Sequence, residues 1–206
     1  MNNKGNTGIT AIPLLASLLM VSATTSTVIM NGTDGMDFET DQTLNEVMNE
    51  ITTYLKITSI IGRYSVSNGT RSIDKIAILA KQFITNSIKL ADMTIQIKNN
   101  NDVIMLGYSG YAIEGNSELI FDHQIWGKTN NAFSIITIID EDRSLLDYGI
   151  LNDDTAFIII KLPAGFKIGN GETISVKITP PKGVYRSFNL VAPSFHASNI
   201  ISFEDI

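Results

Sequence analysis

The 206-residue chain offers few side chains with chemistry to perform. Its densest acidic stretch is Asp140, Glu141, Asp142, Asp147, Asp153 and Asp154. Carboxylate oxygens of this kind suit calcium, yet the Asp-x-Asp-x-Asp-Gly spacing of a calcium loop is absent, so a solvated loop is the expectation. His123 follows Asp122, but neighbours on a strand point to opposite faces and do not converge on one ion. Ser194-Phe195-His196 has no acidic third member placed by spacing to complete a hydrolase triad. With no cysteine, thiol nucleophiles, disulfides, zinc–thiolate sites and iron–sulfur ligation are all excluded. Neither a catalytic group, nor a metal site, nor a cofactor is therefore expected. Trp126 and the tyrosines are read as core or as contacts between subunits.

The bulk composition agrees with a folded chain. Hydrophobic residues make up 44% and charged residues 17%, an ordinary balance for a globular protein. A net charge of −6 and the lack of any basic run disfavour nucleic acid as a partner, because phosphate binding needs clustered Lys and Arg. Two N-glycosylation sequons are present, Asn31-Gly32-Thr33 and Asn68-Gly69-Thr70. Both also read as simple turns.

The elements that would position these groups begin with an apolar segment. No charged side chain occurs between Lys4 and Asp34. Ile9, Ile12, Leu14, Leu15, Leu18, Leu19, Met20, Val21, Val28, Ile29 and Met30 fall within it. As a helix it would be roughly 33 Å long, enough to cross a bilayer core. Burying those side chains is worth on the order of 16–33 kcal/mol as an upper bound, so the segment must enter membrane, enter a partner, or be removed. A secretory signal peptide fits poorly, since its positive region would be one lysine and no small-x-small cleavage site is evident. A permanent anchor, or a helix that later packs among copies of itself, both accommodate Ser22, Thr24, Thr25, Ser26 and Thr27. Pro13 is tolerated in a first helical turn.

Beyond the turn formers Asn31-Gly32-Thr33-Asp34-Gly35, the stripe Leu44, Val47, Met48, Ile51 and Leu55 predicts an amphipathic helix. After Gly62 the pattern changes to short β-type runs: 73–80, 93–98, 103–108, 118–121, 133–139, 156–162, 173–179 and 184–191. Turn-like separators stand between many of them, among them Asn68-Gly69, Asn99-Asn100-Asn101-Asp102, Glu114-Gly115-Asn116 and Gly169-Asn170-Gly171. About eight runs at this spacing predict an antiparallel immunoglobulin-like β-sandwich. Asn170-Gly171 suits a hairpin turn needing positive φ. The alternation in Thr173-Ile174-Ser175-Val176-Lys177-Ile178 predicts a strand with one wet face.

Lys4-Gly5 followed by Asn6-Thr7-Gly8-Ile9-Thr10 and the apolar stretch resembles the processing site of archaeal flagellins, the archaellins. The closing part of the chain is similar too. Leu145-Leu146, Phe157-Ile158-Ile159-Ile160-Lys161-Leu162-Pro163 and Thr179-Pro180-Pro181-Lys182-Gly183-Val184, with Pro193 beyond, look like the last strands of archaellin outer domains. A Leu-x-Pro-Gly-Glu motif common in that family is replaced by Leu151-Asn152-Asp153-Asp154-Thr155. Pro13 is closer to archaeal type IV pilins.

The resemblance implies an α+β chain in three parts. Residues 1–5 would be a leader removed by a prepilin-type peptidase between Gly5 and Asn6. Residues 6–60 would form a long helix polymerising through Ile9, Ile12, Leu14, Leu15, Leu18, Leu19, Val21, Val28 and Ile29. Residues 61–206 would be the outer β-sandwich, with glycans expected at Asn31 and Asn68. Such a subunit would be membrane-inserted first, then packed with copies of itself or sister archaellins in an extracellular swimming filament. An adhesive pilin or a membrane-anchored surface-binding module is the alternative.

Overall fold

The computed structural model describes residues 55–67, 69–82, 87–195 and 198–203, all within the compact unit Asn49–Ile206. Among the described residues twelve strands run in the order β1 (Leu55–Ser67), β2 (Thr70–Gln82), β3 (Ile88–Lys89), β4 (Thr94–Lys98), β5 (Val103–Glu114) and β6 (Ala132–Ile139). They continue with β7 (Ile150–Leu151), β8 (Thr155–Lys161), β9 (Ile168–Gly169), β10 (Thr173–Thr179), β11 (Arg186–Val191) and β12 (Ile200–Phe203). One short helix, α1 (Ser144–Tyr148), lies between β6 and β7.

Ten strands form one hydrogen-bonded sheet, ordered β11-β10-β4-β5-β6-β8-β2-β1-β12 with β9 added to β2, while β3 and β7 pair separately. Strand β5 is the fold line. Its first residues pair antiparallel with β4, and from Gly107 onward it pairs parallel with β6. The register breaks between Tyr108 and Ala112, where Gly110 takes φ 80°. A bulge with left-handed backbone bends a strand, so the sheet doubles back into two layers. Ile95, Ile97, Leu106, Ile174, Val176 and Ile178 of one layer meet Ile60, Ile76, Ile78, Ile135, Ile158 and Ile160 of the other in the main core.

Burial patterns follow from this layering. In β10 the apolar positions Ile174, Val176 and Ile178 are buried and the polar ones between them are not, as the alternation predicts. Strand β8 is buried from Ala156 through Ile160, because both of its faces are covered. Its second face, with Ala77 of β2 and Ile136 of β6, packs against Ile120, Phe121, Ile125 and Trp126. A strand covered on two sides reads as a continuous apolar run, which is what Phe157-Ile158-Ile159-Ile160 is.

Several expectations are corrected. Residues 55–60 are strand, not the end of a helix, so the β-unit begins before the predicted boundary at 60/61 and Leu55 belongs to the sandwich core. Gly62, after which the β-type pattern was expected to begin, lies inside β1 opposite Ile76 and Ile201. Residues 118–121 belong to a 3-10 segment, Ser117–Asp122, because the chain here crosses over the sheet face and joins no ladder. Pairing is antiparallel except between β5 and β6. The turn at Asn170-Gly171 exists, with Gly171 at φ 75°, but it is not a hairpin: β9 pairs with β2, and β10 with β4 and β11.

Candidate functional site

Most residues singled out from sequence lie outside the described residues. These are Gly5 and Asn6, the apolar series Ile9, Ile12, Leu14, Leu15, Leu18, Leu19, Val21, Val28 and Ile29, both sequon asparagines Asn31 and Asn68, and His196. Asn68 stands between Ser67 and Thr70, which pair across β1 and β2. Two side-chain groupings remain to be built from the described part.

The first is the acidic loop joining β6 to β8. Asp140, Asp142 and Asp154 each bring an oxygen within 4.8 Å of the others, the one such group of three among the described residues. Each carboxylate is engaged as a local cap. Asp140 accepts from the backbone N–H groups of Leu145 at 3.3 Å and Leu146 at 2.8 Å, closing the start of α1. Asp142 accepts from Ser144 N at 2.8 Å and Asn152 Nδ2 at 3.1 Å. Asp154, buried to 4% exposure, accepts from Asn152 N at 2.8 Å.

Their ionisation is pulled in opposite directions. Hydrogen bonds from Ser144 and then Asn152 hold the Asp142 carboxyl down, at about 2. Burial, reinforced by the charges of Asp140 and Asp142, pushes Asp154 up, against the hydrogen bond from Asn152 N. Arg143 ties the loop to β5 through Glu114 at 3.5 Å and pairs with Asp147 of α1 at 3.6 Å. Arg143 and Asp153 both adopt positive φ, so the loop is shaped by its own hydrogen bonds. Sequence spacing gives no hint of the grouping, because α1 and β7 intervene between Asp142 and Asp154.

The second grouping clamps the 3-10 segment onto the sheet. Arg63 of β1 donates to the Phe121 carbonyl at 3.0 Å and pairs with Asp122 at 2.5 Å. Lys75 of β2 donates to the same carbonyl at 3.2 Å and lies 5.0 Å from the centre of the Trp126 ring. Burial and then the Arg63 guanidinium push the Lys75 ammonium below its ordinary value. Trp126 stacks on Phe121 at 5.7 Å and donates its indole N–H to the Ile120 carbonyl at 2.7 Å. His123 accepts from Ile125 N at 3.3 Å through Nδ1 and so caps the next 3-10 turn. Asp122 and His123 thus serve different neighbours, and Trp126 is core. Both groupings hold the sandwich together.

Known proteins give the context for this architecture. The family model described as archaeal-type flagellin matches residues 5–190. Flagellin B3 of Methanocaldococcus jannaschii is 26% identical over 98% of this chain and 90% of its own length. Flagellin B1 of Thermoplasma volcanium is 22% identical over 98% and 94%. Among solved structures, archaeal flagellin FlaB1 of Methanocaldococcus jannaschii superposes with a TM-score of 0.61 at 20% identity, covering 72% of this chain and 95% of that one. The archaeal flagellum of Methanospirillum hungatei strain JF1 gives 0.62 at 16% identity, covering 94% and 98%.

Proposed function

The chain belongs to the archaeal-type flagellin family, and from that premise we propose that it is the structural subunit of an archaellum, polymerising into an extracellular filament that serves swimming. The observation that carries this is the family match, which runs from residue 5 to residue 190 and so takes in the apolar segment as well as most of the β-unit. The β-unit is sandwich-like, as in the archaellin structures it superposes on.

The assembly step falls to residues 9–30. Helices carrying Ile9, Leu15, Leu18 and Val21 outward find in one another the apolar surroundings that the membrane supplies beforehand, while their small hydroxyl residues permit close approach. The immunoglobulin-like sandwiches then stand outside the helical core. A head-to-tail contact that does not close generates a fibre. A prepilin-type peptidase would release Asn6 as the mature first residue by cutting after Gly5. Asn31 and Asn68 are the positions for N-linked glycans. These functions ask for no catalytic group in the β-unit, and its acidic loop and its Arg63–Asp122 clamp are both accounted for as structure.

Electron microscopy of filaments sheared from cells, with intact mass of the chain, tests the reading. The expected result is uniform helical filaments whose subunit mass begins at Asn6. Leu15→Asp or Leu18→Asp should abolish filaments and leave the sandwich folded; normal filaments from either variant would refute helix packing as the assembly force. Pro13 supports one second reading, an adhesive pilin, for which filaments would persist on non-swimming cells.

A further inference from the structure

The two layers of the sandwich differ in what covers them. The outward face of the layer holding β2, β8 and β6 is capped by Ile120, Phe121, Ile125 and Trp126. The outward face of β5, β4, β10 and β11 carries no such cap among the described residues. Lys98 there lies opposite Val103 and Ser175, and Lys177 lies opposite Gln96 and Ser187. Met105, 64% exposed, pairs with Gln96, and Val191, 55% exposed, stands on the edge strand. With Val103 and Tyr185, whose ring centre is 4.1 Å from the Lys177 Nζ, these make four of the twelve exposed large apolar side chains among the described residues. Such a concentration beside polar groups marks an interaction surface. Its two charges are both positive, and neither Lys98 nor Lys177 has an ion-pair partner among the described residues.

We propose that this face binds residues 41–51 of a second copy of this chain, an inference that rests on the filament reading. That stretch lies outside the described residues, and its sequence supplies what the face lacks. From Asp34 to Glu50 the chain carries six carboxylates and no lysine or arginine. Leu44, Val47, Met48 and Ile51 recur at helical spacing, and on such a helix Asp41 and Glu50 fall on opposite flanks of the apolar stripe. Residues 41–51 as a helix are roughly 16 Å long, against about 14 Å across four strands. The stripe meets Val103, Met105 and Val191, and the flanking carboxylates meet Lys98 and Lys177. Opposite charges at the margin fix the register of docking, while the apolar contact supplies the cohesion. Two cations are too few for an anionic membrane surface, which draws clusters of about 4–8. Segment and face are unlike surfaces, so the contact repeats without closing, as a fibre requires.

Charge reversal tests the contact. Filaments of Lys98→Glu/Lys177→Glu are compared with wild type for the temperature at which they dissociate, and Trp126 emission reports that the sandwich stays folded. The expected result is a lower dissociation temperature or no filament, restored when Asp41→Lys/Glu50→Lys is added to the same chain. Lysine-reversed filaments as stable as wild type would overturn the contact and leave the filament reading standing. If that variant also lost binding to vesicles of anionic lipid, the face would belong to a membrane instead. Loss of filaments without rescue would overturn the assignment to residues 41–51. Failure of the wild-type chain to appear in filaments at all would overturn the filament reading and this inference with it. The chain contains no cysteine, which permits a second measure. Mixed filaments of the single variants Met105→Cys and Met48→Cys, treated with a short bifunctional thiol reagent, should give dimers joined between those two positions. Monomer only, or dimers joined through like positions, argues against the contact.

Discussion

Gly62 offers the sharpest test of how the sandwich is packed. It sits mid-strand in β1, and a Cβ placed there would meet Phe203 Cε2 at 2.9 Å, Ile73 Cγ2 at 3.0 Å and Phe203 Cζ at 3.3 Å. Ile73 is fully buried and Phe203 is 7% exposed, so neither neighbour withdraws freely. Two effects oppose each other in Gly62→Ala. Restricting the unfolded chain favours alanine by roughly 0.5–1 kcal/mol. Overpacking a tight core costs about 1–3 kcal/mol. The clash wins, and the net loss should be about 1 kcal/mol, which at a slope of about 2 kcal/mol/M moves the urea midpoint by about 0.5 M.

The partner in the clash is testable separately. Phe203→Ala alone should cost about 3–5 kcal/mol, and it also removes two of the three close atoms. In that background Gly62→Ala should cost nothing or stabilise slightly, a coupling of about 1–2 kcal/mol in the double-mutant cycle. Trp126 is the only tryptophan and is 4% exposed, so its emission follows unfolding of the chain held in detergent micelles. Equal losses from Gly62→Ala in both backgrounds would refute the Phe203 contact as the cause.

Gly115→Ala should be the harsher glycine substitution, at roughly 2–3 kcal/mol, because its Cβ would lie 2.2 Å from Cγ2 of fully buried Ile136; the same urea titration measures it. In the acidic loop, Asp154→Asn keeps an acceptor for Asn152 N and removes a charge that burial and two neighbouring carboxylates oppose. The raised Asp154 makes its charge a cost at neutral pH that is relieved as pH falls through its folded value, so the variant should melt higher than wild type at pH 7 and converge with it in acid. Asp142 works the other way. Its depressed carboxyl contributes stability above the ordinary value of 3.8, lost as pH falls toward about 2, so Asp142→Asn should flatten the acid limb of a melting-temperature profile. Arg63→Ala removes a half-exposed ion pair and one carbonyl bond; a loss of about 1–2 kcal/mol is expected, most of it surviving 1 M salt because the carbonyl bond carries no net charge on its acceptor.

Local pattern alone was enough for some of this protein. The alternation of 173–179 announced a one-sided strand, and Asn99-Asn100-Asn101-Asp102 announced the turn that joins β4 to β5, where the Asn99 side chain accepts from Asn101 N and Asp102 N. Period-two alternation and Asx turns are set by neighbours in the chain, which is why they are legible there. The resemblance to the archaellin family, carried by Lys4-Gly5, Gly8, the apolar stretch and the closing runs around Thr179-Pro180-Pro181-Lys182-Gly183, was likewise legible in the sequence, since such motifs are contiguous in the chain. The strand from Leu55, by contrast, was hidden inside an apparent helical stripe, because a Leu at helical spacing and a Leu at the start of a strand are the same letter. That Gly62 lies mid-strand under Phe203 was equally hidden, because β12 comes from the far end of the chain. The parallel meeting of β5 and β6 and the convergence of Asp142 with Asp154 are long-range outcomes. Only the tertiary structure decided them, for burial and pairing between distant segments select one arrangement among several that local preference leaves equal.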